Sequence, residues 1–515
     1  MSNSDSRTID RSRHDLEAVR CEQFTVRSIF TNNQFADACA GRTLDNVDPS
    51  TAKRIASFSR GGTEDVDLAV LSAHAAFHGE WSAISPQKRG EMLLALAADV
   101  EANADWLARL ETLDVGKPLT ASREDVAGAA ATLRYNAGAC DKLQGDTIPL
   151  GRDVIDFTLL EPLGVTAHVT PWNFPLGMAA RSLAPALAAG CTAVIKPAEQ
   201  SPLTTLALAL LAAEAGFPAG VINVVTGTGT EAGAALIAHP LVDGIMFTGS
   251  VGTGRIVGAA AGQRLKPVVL ELGGKNPMIV FDDADLGRAV DNAMLGAFDN
   301  CGQVCASVSR LLLQKGIRQE FLDRFIERIG SLKVGRGFDD KDLGPLVSAE
   351  HLTKVTGHIQ AARSAGARAM TGGGKPDGLD NGYFVEPTVF DKVDPQCALA
   401  QEETFGPVVA VFDFETEAEA VSLANALPYG LVAGAETRDI DRALRMTRRL
   451  QAGSVWINGW FLGGVQAPTG GVKASGVGRE RGLAGIDNYL SIKNVGLRVA
   501  RAGLNDNESR EDERP

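Results

Sequence analysis

The sequence lacks the features of a membrane or nucleic-acid-binding protein. Its 515 residues contain no apolar run long enough to span a bilayer. Residues 1–20 are polar and charged, without the apolar core of a signal peptide. Basic residues are in deficit: 50 Lys and Arg against 63 Asp and Glu give a net charge of −13. An acidic chain repels nucleic acid and anionic lipid, so we expect neither as a partner.

Cysteines are few and irregularly spaced. The chain has seven, and none forms a CxxC pair. Neither a disulfide framework nor a zinc ribbon is therefore indicated, no metal site is expected, and a reducing cytoplasm is the predicted location. The remaining composition, with 45% hydrophobic and 22% charged residues, is typical of a globular protein, and the length indicates two or three domains.

From residue 164 the chain alternates between short apolar strands and helices. Strands are predicted at Val165–Val169, Ala193–Ile195, Val221–Val225, Gly244–Phe247 and Val268–Leu270. Alternation with helices such as Leu203–Ala215 predicts a doubly wound α/β domain, in which ligands bind at the carboxyl ends of parallel strands. Residues 310–450 repeat the alternation and predict a second α/β domain. Nearer the N-terminus, one helix is predicted to begin at Thr63 and another to cover Lys88–Leu110.

Three segments fall outside these predicted domains. The polar segments 1–20 and 502–515 have the composition of disordered tails. The apolar segment Val154–Leu159 predicts an extended strand that belongs to neither domain. Because an unpaired apolar strand needs a partner, another subunit is a candidate for that role.

Polar motifs follow the predicted strands. Asn173, in a turn made rigid by two prolines, can offer an amide to an oxyanion. Lys196 and Glu199 can bracket a ribose, and the glycine-rich segment 247–254 can hold pyrophosphate at a helix N-terminus. Glu271, at a strand end before two glycines, is a candidate general base. Taken singly, each motif is also compatible with an ordinary turn or a solvated loop.

Cys305 is the candidate nucleophile. It follows the permissive Gly302, between a helix predicted near Asp285–Phe298 and the apolar strand Arg310–Leu313. A thiolate is a strong nucleophile, more so where local dipoles lower the pKa of the thiol. From this segment alone, a buried structural cysteine is the alternative.

Together the motifs resemble the NAD(P)-dependent aldehyde dehydrogenase superfamily. In chain order they are PWNFP at 171–175, KPAE at 196–199, FTGS at 247–250, ELGGKNP at 271–277, GQVC at 302–305, EETFGP at 402–407 and PTGGVKASG at 468–476. Each is weak alone, but seven in the family's order are specific, and the resemblance runs from about Phe24 to Ala500.

The resemblance implies an enzyme that oxidises an aldehyde to its acid with NAD, through a thiohemiacetal and a thioester on Cys305. It implies an oxyanion hole at Asn173, a general base at Glu271 and a supporting role for Lys275. The implied cofactor contacts are Thr170, Trp172, Lys196, Glu199, Gly229, Phe247, Ser250, Leu272, Glu403 and Phe405. The implied substrate contacts are Phe174, Met178, Arg181, Asp299, Ser307, Trp460 and Phe461.

The resemblance also implies a division of the chain. The expected parts are a cofactor domain at 21–141 and 162–272, a catalytic domain at 273–485, and a small β arm at 142–161 and 486–501. In the family such an arm joins subunits, so a homodimer or homotetramer is expected.

The substrate passage departs from the family pattern. Asp299, Gly463 and Thr469 stand where aromatic residues are common, so a small or mid-sized polar aldehyde is expected. Arg181 stands where some relatives that act on semialdehyde carboxylates carry arginine, whereas Trp460 resembles the betaine-aldehyde branch, where it can contact a cation. A further alternative is that Arg181 and Asp299 simply pair with each other.

Two functions of other classes remain open at this point. A CoA-acylating aldehyde dehydrogenase is disfavoured because such relatives lack the glutamate that Glu271 supplies. A non-catalytic binding protein on the same scaffold is disfavoured because Cys305, Glu271 and Asn173 are all present.

Overall fold

The computed structural model describes residues 25–499 and contains two large sheets and two small ones. The predicted tails at 1–20 and 502–515 lie outside the described residues. Within the described range, no helix is both long and apolar enough to cross a membrane.

The first large sheet confirms the predicted doubly wound domain. In spatial order its strands are Gly476–Val477, Val268–Leu272, Gly244–Gly249, Val165–Val169, Thr192–Lys196, Ile222–Val225, Ile29–Thr31 and Gln34–Ala36. The strands from Val268–Leu272 to Ile222–Val225 are parallel, and the outer ones are antiparallel. Chain order reverses beside Val165–Val169, so the crevice for ligands is expected at its carboxyl end.

Helices cover both faces of this sheet. They are Thr63–His78, Pro86–Ala102, Ala104–Val115, Leu119–Ala137, Pro175–Ala189, Leu203–Glu214, Ala234–Ala238 and Val251–Gln263. The strand Thr192–Lys196 shows why both faces need to be covered. Ala193 and Ile195 pack in one apolar cluster, while Val194 packs in the cluster of the opposite face. A continuous apolar strand is therefore buried on both sides, as parallel sheets require.

The predicted helix Lys88–Leu110 is wrong in one respect, because the structure has two helices there. Pro86–Ala102 ends at Asn103, and Ala104–Val115 begins directly after it. The amide nitrogen of Asn103 donates a hydrogen bond to the carbonyl of Asp99, at 2.7 Å. An asparagine side chain that competes for backbone groups interrupts a helix, although the apolar periodicity continues on both sides.

The second large sheet forms the other α/β unit, and it begins earlier than the predicted residue 310. Its strands in spatial order are Arg368–Thr371, Thr388–Asp391, Val408–Phe414, Val308–Gln314, Asn276–Val280, Val432–Glu436 and Ser454–Ile457. Its helices are Leu286–Phe298, Arg318–Gly330, Ala349–Ser364, Ala398–Gln401, Glu417–Asn425 and Ile440–Arg449. All strand pairs are parallel except the one made by the edge strand Arg368–Thr371.

The two small sheets lie outside these units. One contains Thr25–Val26, Lys53–Ser59 and Thr43–Asp48. The other, the arm sheet, contains Leu490–Arg498, Val154–Pro162 and Thr147–Ile148, in that order. The residue pattern predicted Val154–Leu159 as a lone strand, and that prediction is wrong. All nine residues of Val154–Pro162 pair with the strand Leu490–Arg498 of the same chain.

One strand crosses the predicted boundary between the domains. Gly476–Val477 comes from the C-terminal part of the chain, yet it pairs antiparallel with Val268–Leu272 of the first sheet. Gly476 lies opposite Glu271 in this pairing. The two α/β units therefore share an edge beside the candidate general base, and the short helix Gly482–Asp487 follows.

Candidate active site

The candidate nucleophile lies after an unusual turn. Helix Leu286–Phe298 ends, and Asn300, Cys301 and Gly302 follow with φ of 45°, 58° and 69°. Left-handed backbone is costly for residues other than glycine, so this turn holds strain. At Gly302 a side chain would also collide with the backbone of Gly406. The turn therefore brings the chain close to the 402–407 motif immediately before Cys305.

Gln303 holds this turn in place. Its side-chain nitrogen donates to the carbonyls of Asn300 and Pro345, at 3.0 and 3.3 Å, and its side-chain oxygen accepts from the N–H of Val347 at 3.0 Å. Gln303 is fully buried, and a buried amide needs such partners. Gln303 was absent from the predicted site because it touches only protein groups, but its place in the GQVC motif is a signal that could have found it.

Asn173 reaches the same turn from the first sheet. It follows the strand Val165–Val169, and its side-chain nitrogen donates to the carbonyl of Gln303 at 2.9 Å. Asn300 in turn donates to the carbonyl of Asn173 at 3.0 Å. The second hydrogen of the Asn173 amide remains, and within residues 25–499 the N–H of Cys305 donates no hydrogen bond. These two donors suit an oxyanion on a carbon atom that is bonded to the Cys305 sulfur.

Cys305 itself is half-buried and strongly anchored. Asn276 donates from its side chain to the carbonyls of Cys305 and Ser307, at 2.8 and 2.9 Å. Burial raises the pKa of the Cys305 thiol to about 11, against the opposing charge of Arg181. The thiol therefore has to lose its proton to a base during the reaction.

Glu271 is the carboxyl group that faces the same cavity. It lies within the strand Val268–Leu272 rather than after it, is 6% exposed, and one of its oxygens has no hydrogen-bond partner in the described structure. Burial raises its pKa well above that of an ordinary carboxyl group, and the negative charge of Glu480 adds to the effect. A carboxylate with a raised pKa is a better match for general-base chemistry near neutral pH.

One cavity of about 360 Å³ unites these groups at the reversal point of the first sheet. The predicted residues that line it are Trp172, Asn173, Met178, Ser250, Glu271, Leu272, Cys305, Glu403 and Phe405. Five of the seven motifs, spread over the chain, thus supply one concave site, with Cys305 and Glu271 on its wall.

The floor of the cavity includes the start of a helix. Gly249 and Ser250 line it, and Ser250 caps Val251–Gln263 by accepting from the N–H of Thr253 at 3.2 Å. At Gly252 a side chain would meet no atom within 4 Å, so the space above this first turn is open. An open helix N-terminus of thirteen residues attracts an anion such as pyrophosphate. Phe247, also predicted here, is instead buried in the core.

Lys196 and Glu199 form an ion pair at 2.8 Å beyond the end of the cavity. The lysine side chain is 3% exposed and the glutamate 37%, so Lys196 holds Glu199 at the surface. Lys196 also packs near Gly233, in the turn Gly229–Gly233 that contains the predicted Gly229. Thr170, a further predicted contact, is buried and has a hydroxyl without a described partner.

On the other side, Glu403 and Phe405 belong to one tight loop. A Glu403 oxygen accepts from the N–H of Gly274 at 3.1 Å, and Phe405 has a left-handed φ of 60°. The Phe405 carbonyl accepts from His351 at 2.7 Å, and the His351 ring lies edge-on to Trp172 at 5.2 Å. Burial lowers the pKa of His351 to about 4, so it is neutral at pH 7.

His351 was missed by the sequence reasoning. It lies in the first turn of helix Ala349–Ser364, whose Ser348 caps it, and both line the cavity together with Lys354. No motif distinguishes this helix start from others, so the only available signal was helical spacing between His351 and Lys354.

Lys275 lies behind the cavity rather than on its wall. Its nitrogen is buried and has no described partner, and burial, with the charge of Arg310, lowers its pKa to about 7. Its carbonyl accepts from Arg310 at 2.8 Å. This placement gives Lys275 a supporting position and no direct access to Cys305.

Of the predicted substrate contacts, only Met178 lines the cavity, and the others pack against protein groups. Met178 lines the cavity, Phe174 lies under the Lys117 nitrogen at 4.1 Å, and Ser307 donates to the Gly302 carbonyl at 3.2 Å. Trp460 is only 4% exposed and donates to the Ala306 carbonyl at 3.0 Å. Its indole therefore packs in the core, which weakens its predicted contact with a cation.

The alternative in which Arg181 and Asp299 pair with each other is wrong. Arg181 forms an ion pair with Glu480 instead. Asp299 lies close to Lys117, and burial raises its pKa to about 6 against the effect of that lysine. Phe461, the remaining predicted contact, has a φ of 53° and lies edge-on to Trp456 at 5.8 Å.

Comparison with known proteins agrees with this geometry. The model of the aldehyde dehydrogenase family matches residues 35–495. The chain belongs to the aldehyde dehydrogenase family. An aldehyde dehydrogenase of Emericella nidulans is 45% identical over 92% of this chain and 95% of its own length. Betaine aldehyde dehydrogenase 1 of Oryza sativa subsp. japonica is 45% identical over 91% of this chain and 95% of its own.

The fold is shared with solved structures of this family. The NAD⁺ complex of an aldehyde dehydrogenase from Bacillus cereus superposes with a TM-score of 0.90 at 39% identity, covering 92% of this chain and 96% of that one. This aldehyde dehydrogenase therefore has the predicted α/β architecture. Its cavity lies where the chain order of the first large sheet reverses.

Proposed function

We propose that this aldehyde dehydrogenase oxidises a polar aldehyde to its carboxylic acid with NAD. The observation that carries the proposal is the meeting of Cys305, Glu271 and the Asn173 amide around one cavity. NAD, when bound, accepts the hydride that leaves the substrate carbon. Trp172 and the Glu403–Phe405 loop on one wall, and the helix start at Ser250 on the floor, would hold it.

The protein's own groups account for the remaining steps. The Cys305 sulfur attacks the aldehyde carbon, its proton passes to a base, and the second hydrogen of Asn173 and the Cys305 N–H stabilise the alkoxide. Loss of hydride leaves a thioester on Cys305. Glu271 then takes a proton from water as the water attacks the thioester, and the acid departs while the thiolate is restored.

A panel of aldehydes tests the proposal. With NAD present, NADH should form together with one equivalent of free acid. Adding CoA distinguishes the acylating alternative, which would yield acyl-CoA in place of acid. No NADH from any anionic, neutral, aromatic or quaternary-ammonium aldehyde would leave only the non-catalytic alternative.

Glu480 should set the pH dependence of the hydrolytic step. Its negative charge raises the pKa of Glu271, and its loss also frees the positive charge of Arg181. Both changes lower the pKa of Glu271, and the base works in its ionised form. In Glu480→Gln the rising limb of kcat against pH should therefore move to lower pH. Glu480→Asp, which keeps the charge, should leave the limb in place; a limb unmoved in Glu480→Gln would contradict the assignment.

Glu199 should determine the preference for NAD over NADP. A carboxylate can accept from both ribose hydroxyls, and it repels a 2′-phosphate. In Glu199→Ser the charge disappears and Lys196 loses its partner, so kcat/KM with NADP should rise at least about tenfold relative to NAD, since like-charge contacts cost several kcal/mol. Glu199→Asp, with the charge retained, is the matched control. A wild type that prefers NADP would refute the assignment directly.

We also propose that the enzyme is a homodimer or homotetramer assembled through the arm sheet. Its outer strand Leu490–Arg498 has only one described neighbour, and it exposes 74% of Ile492 and 49% of Leu497. Exposed strand edges and apolar side chains are stabilised by pairing with another copy. Light scattering at micromolar concentration should give two or four times the 54.1 kDa chain mass. A monomeric mass would contradict the proposal.

A cytoplasmic location is part of the same proposal. The cysteines from Cys39 to Cys397 are free thiols in the described structure, and the nucleophile must stay reduced to react. Cell fractionation checks this, and recovery of the enzyme in an oxidising compartment would oppose it.

A further inference from the structure

The side chain of Asn300 joins the two α/β units at the active site. Asn300 opens the left-handed turn before Cys305, and it is 7% exposed. Its side-chain nitrogen donates to the carbonyl of Asn173, at 3.0 Å, in the segment that follows the strand Val165–Val169. The turn that carries the nucleophile is therefore tied to the main chain of the residue that supplies the oxyanion amide.

Asn300, Gln303 and Asn173 form a closed ring of hydrogen bonds. The Gln303 N–H and the Gln303 side-chain nitrogen both donate to the Asn300 carbonyl, at 3.1 and 3.0 Å. Asn300 donates to the carbonyl of Asn173, and the Asn173 side-chain nitrogen donates to the carbonyl of Gln303 at 2.9 Å. Asn300 also reaches that last carbonyl, at 3.5 Å. In such a ring the bonds support one another, so the loss of one loosens the others.

The Asn173 amide has little else to orient it. Its oxygen is buried and has no hydrogen-bond partner among residues 25–499. The bond to the Gln303 carbonyl therefore sets which way the amide faces, and the Asn300 bond holds the Asn173 main chain from which that amide projects. Asn300 itself is not among the residues that line the cavity, so any effect it has on the reaction passes through Asn173.

The backbone of the turn does not by itself account for this side chain. Asparagine tolerates a φ of 45° better than most residues, but Cys301 adopts a φ of 58° directly after it without that tolerance. Another left-handed asparagine, Asn33, has a φ of 58°, and its side-chain nitrogen donates to the carbonyl of Phe217 at 2.8 Å. Asn33 lies in a hairpin at the edge of the first sheet, away from the cavity. Because it makes the same kind of bond from the same kind of backbone, Asn33 is a matched control for Asn300.

We propose that Asn300 is a positioning residue of the oxyanion hole. By holding the Asn173 carbonyl, it aims the second hydrogen of the Asn173 amide at the substrate oxygen, which becomes negative as the Cys305 sulfur attacks. This inference rests on the proposed function and adds a residue to its machinery. Fixed donors stabilise a developing charge because they need not reorient, so a displaced Asn173 amide costs rate even when Cys305 and Glu271 are intact.

The variant Asn300→Gly tests this role. Glycine accepts the left-handed backbone, and the substitution removes the amide that bonds to Asn173. Loss of an oxyanion donor costs about 10²–10³-fold in rate, so loss of its positioning should slow the NADH burst about 10- to 100-fold. Stopped-flow absorbance at saturating NAD measures the burst, with the aldehyde of the panel that has the highest kcat/KM. The control Asn33→Gly should leave the burst unchanged.

A second reagent separates positioning from damage to the turn. The Cys305 thiolate attacks the sulfenyl sulfur of methyl methanethiosulfonate, an S–S bond forms, and methanesulfinate leaves without any oxyanion on carbon. Mass spectrometry of the Cys305 peptide should give the wild-type rate of this reaction in Asn300→Gly. Asn300→Ala, which makes the turn stiffer but also lacks the amide, should repeat both results. An equal fall in thiol modification and in the burst would make Asn300 structural and overturn the inference.

A double-mutant cycle with Asn173 tests whether the two residues act as one unit. Asn173→Ala should slow the burst by itself, because it removes the donor. In that background Asn300→Gly should have little further effect, since residues that share one network are not additive. Losses that multiply, or a burst in Asn300→Gly that matches the wild type, would overturn the inference. A wild-type burst in Asn173→Ala would instead reject the oxyanion hole of the proposed function, so the two failures are distinguishable.

Discussion

Replacing Cys305 with alanine should reduce aldehyde turnover by at least about a thousandfold, the scale of loss when an enzymatic nucleophile is removed. Cys305 is the only thiol among the described residues that line the cavity. Binding of NAD should persist, because Trp172, Ser250 and Glu403 are untouched. Steady-state NADH formation measures the first effect and titration of protein fluorescence with NAD the second.

A control separates loss of the nucleophile from loss of the fold. Cys301→Ala changes the buried cysteine four residues earlier, which lies in an apolar cluster away from the cavity. It should retain turnover. Residual turnover in Cys305→Ala above about a thousandth of the wild-type rate would contradict the assignment.

Replacing Glu271 with glutamine should give a burst of NADH followed by a steady state about 10²- to 10⁴-fold slower, the range attributed to a general base. The amide keeps the size of the side chain but cannot accept the proton from water, so the thioester accumulates on Cys305. Stopped-flow absorbance measures the burst, and mass spectrometry of quenched enzyme detects the acyl group.

The burst amplitude has a second use. Since burial keeps the Cys305 thiol protonated near neutral pH, some group must remove that proton before attack. A burst close to one NADH per site in Glu271→Gln would exclude Glu271 from that earlier step. Loss of the burst would contradict a purely hydrolytic role and assign both protons to Glu271.

Much of the architecture could be predicted from the sequence because apolar runs dominate it. Val165–Val169 was located to the residue, since buried parallel strands are short apolar segments with clear polar ends. The prediction was wrong at Asn103, whose side chain bonds to the Asp99 carbonyl where a helix ends. The residue pattern also left Val154–Leu159 without a partner in its own chain, and only the family resemblance grouped it with 486–501; its partner strand lies more than 300 residues away. Long-range pairing leaves no local trace in a sequence.

The active site was likewise predictable in its residue types but not in its long-range contacts. Cys305, Glu271 and Asn173 stand in motifs whose residue types already suggest their chemistry, and the structure brings them around one cavity. Partners could not be predicted: Arg181 with Glu480, and His351 with the Phe405 carbonyl, depend on contacts between separate elements. The pKa of Cys305 was also beyond sequence reasoning, because burial decides it.

The strand Gly476–Val477 has a consequence for biosynthesis. It completes the edge beside Glu271, yet the ribosome makes it roughly 200 residues after that glutamate, which at common elongation rates is a delay of about 10–40 s. During this interval the edge of Val268–Leu272 has no partner from its own chain, and exposed edges attract other chains. A nascent chain therefore gains its general-base site only near the end of translation, and a product truncated before residue 476 would be both inactive and prone to aggregate.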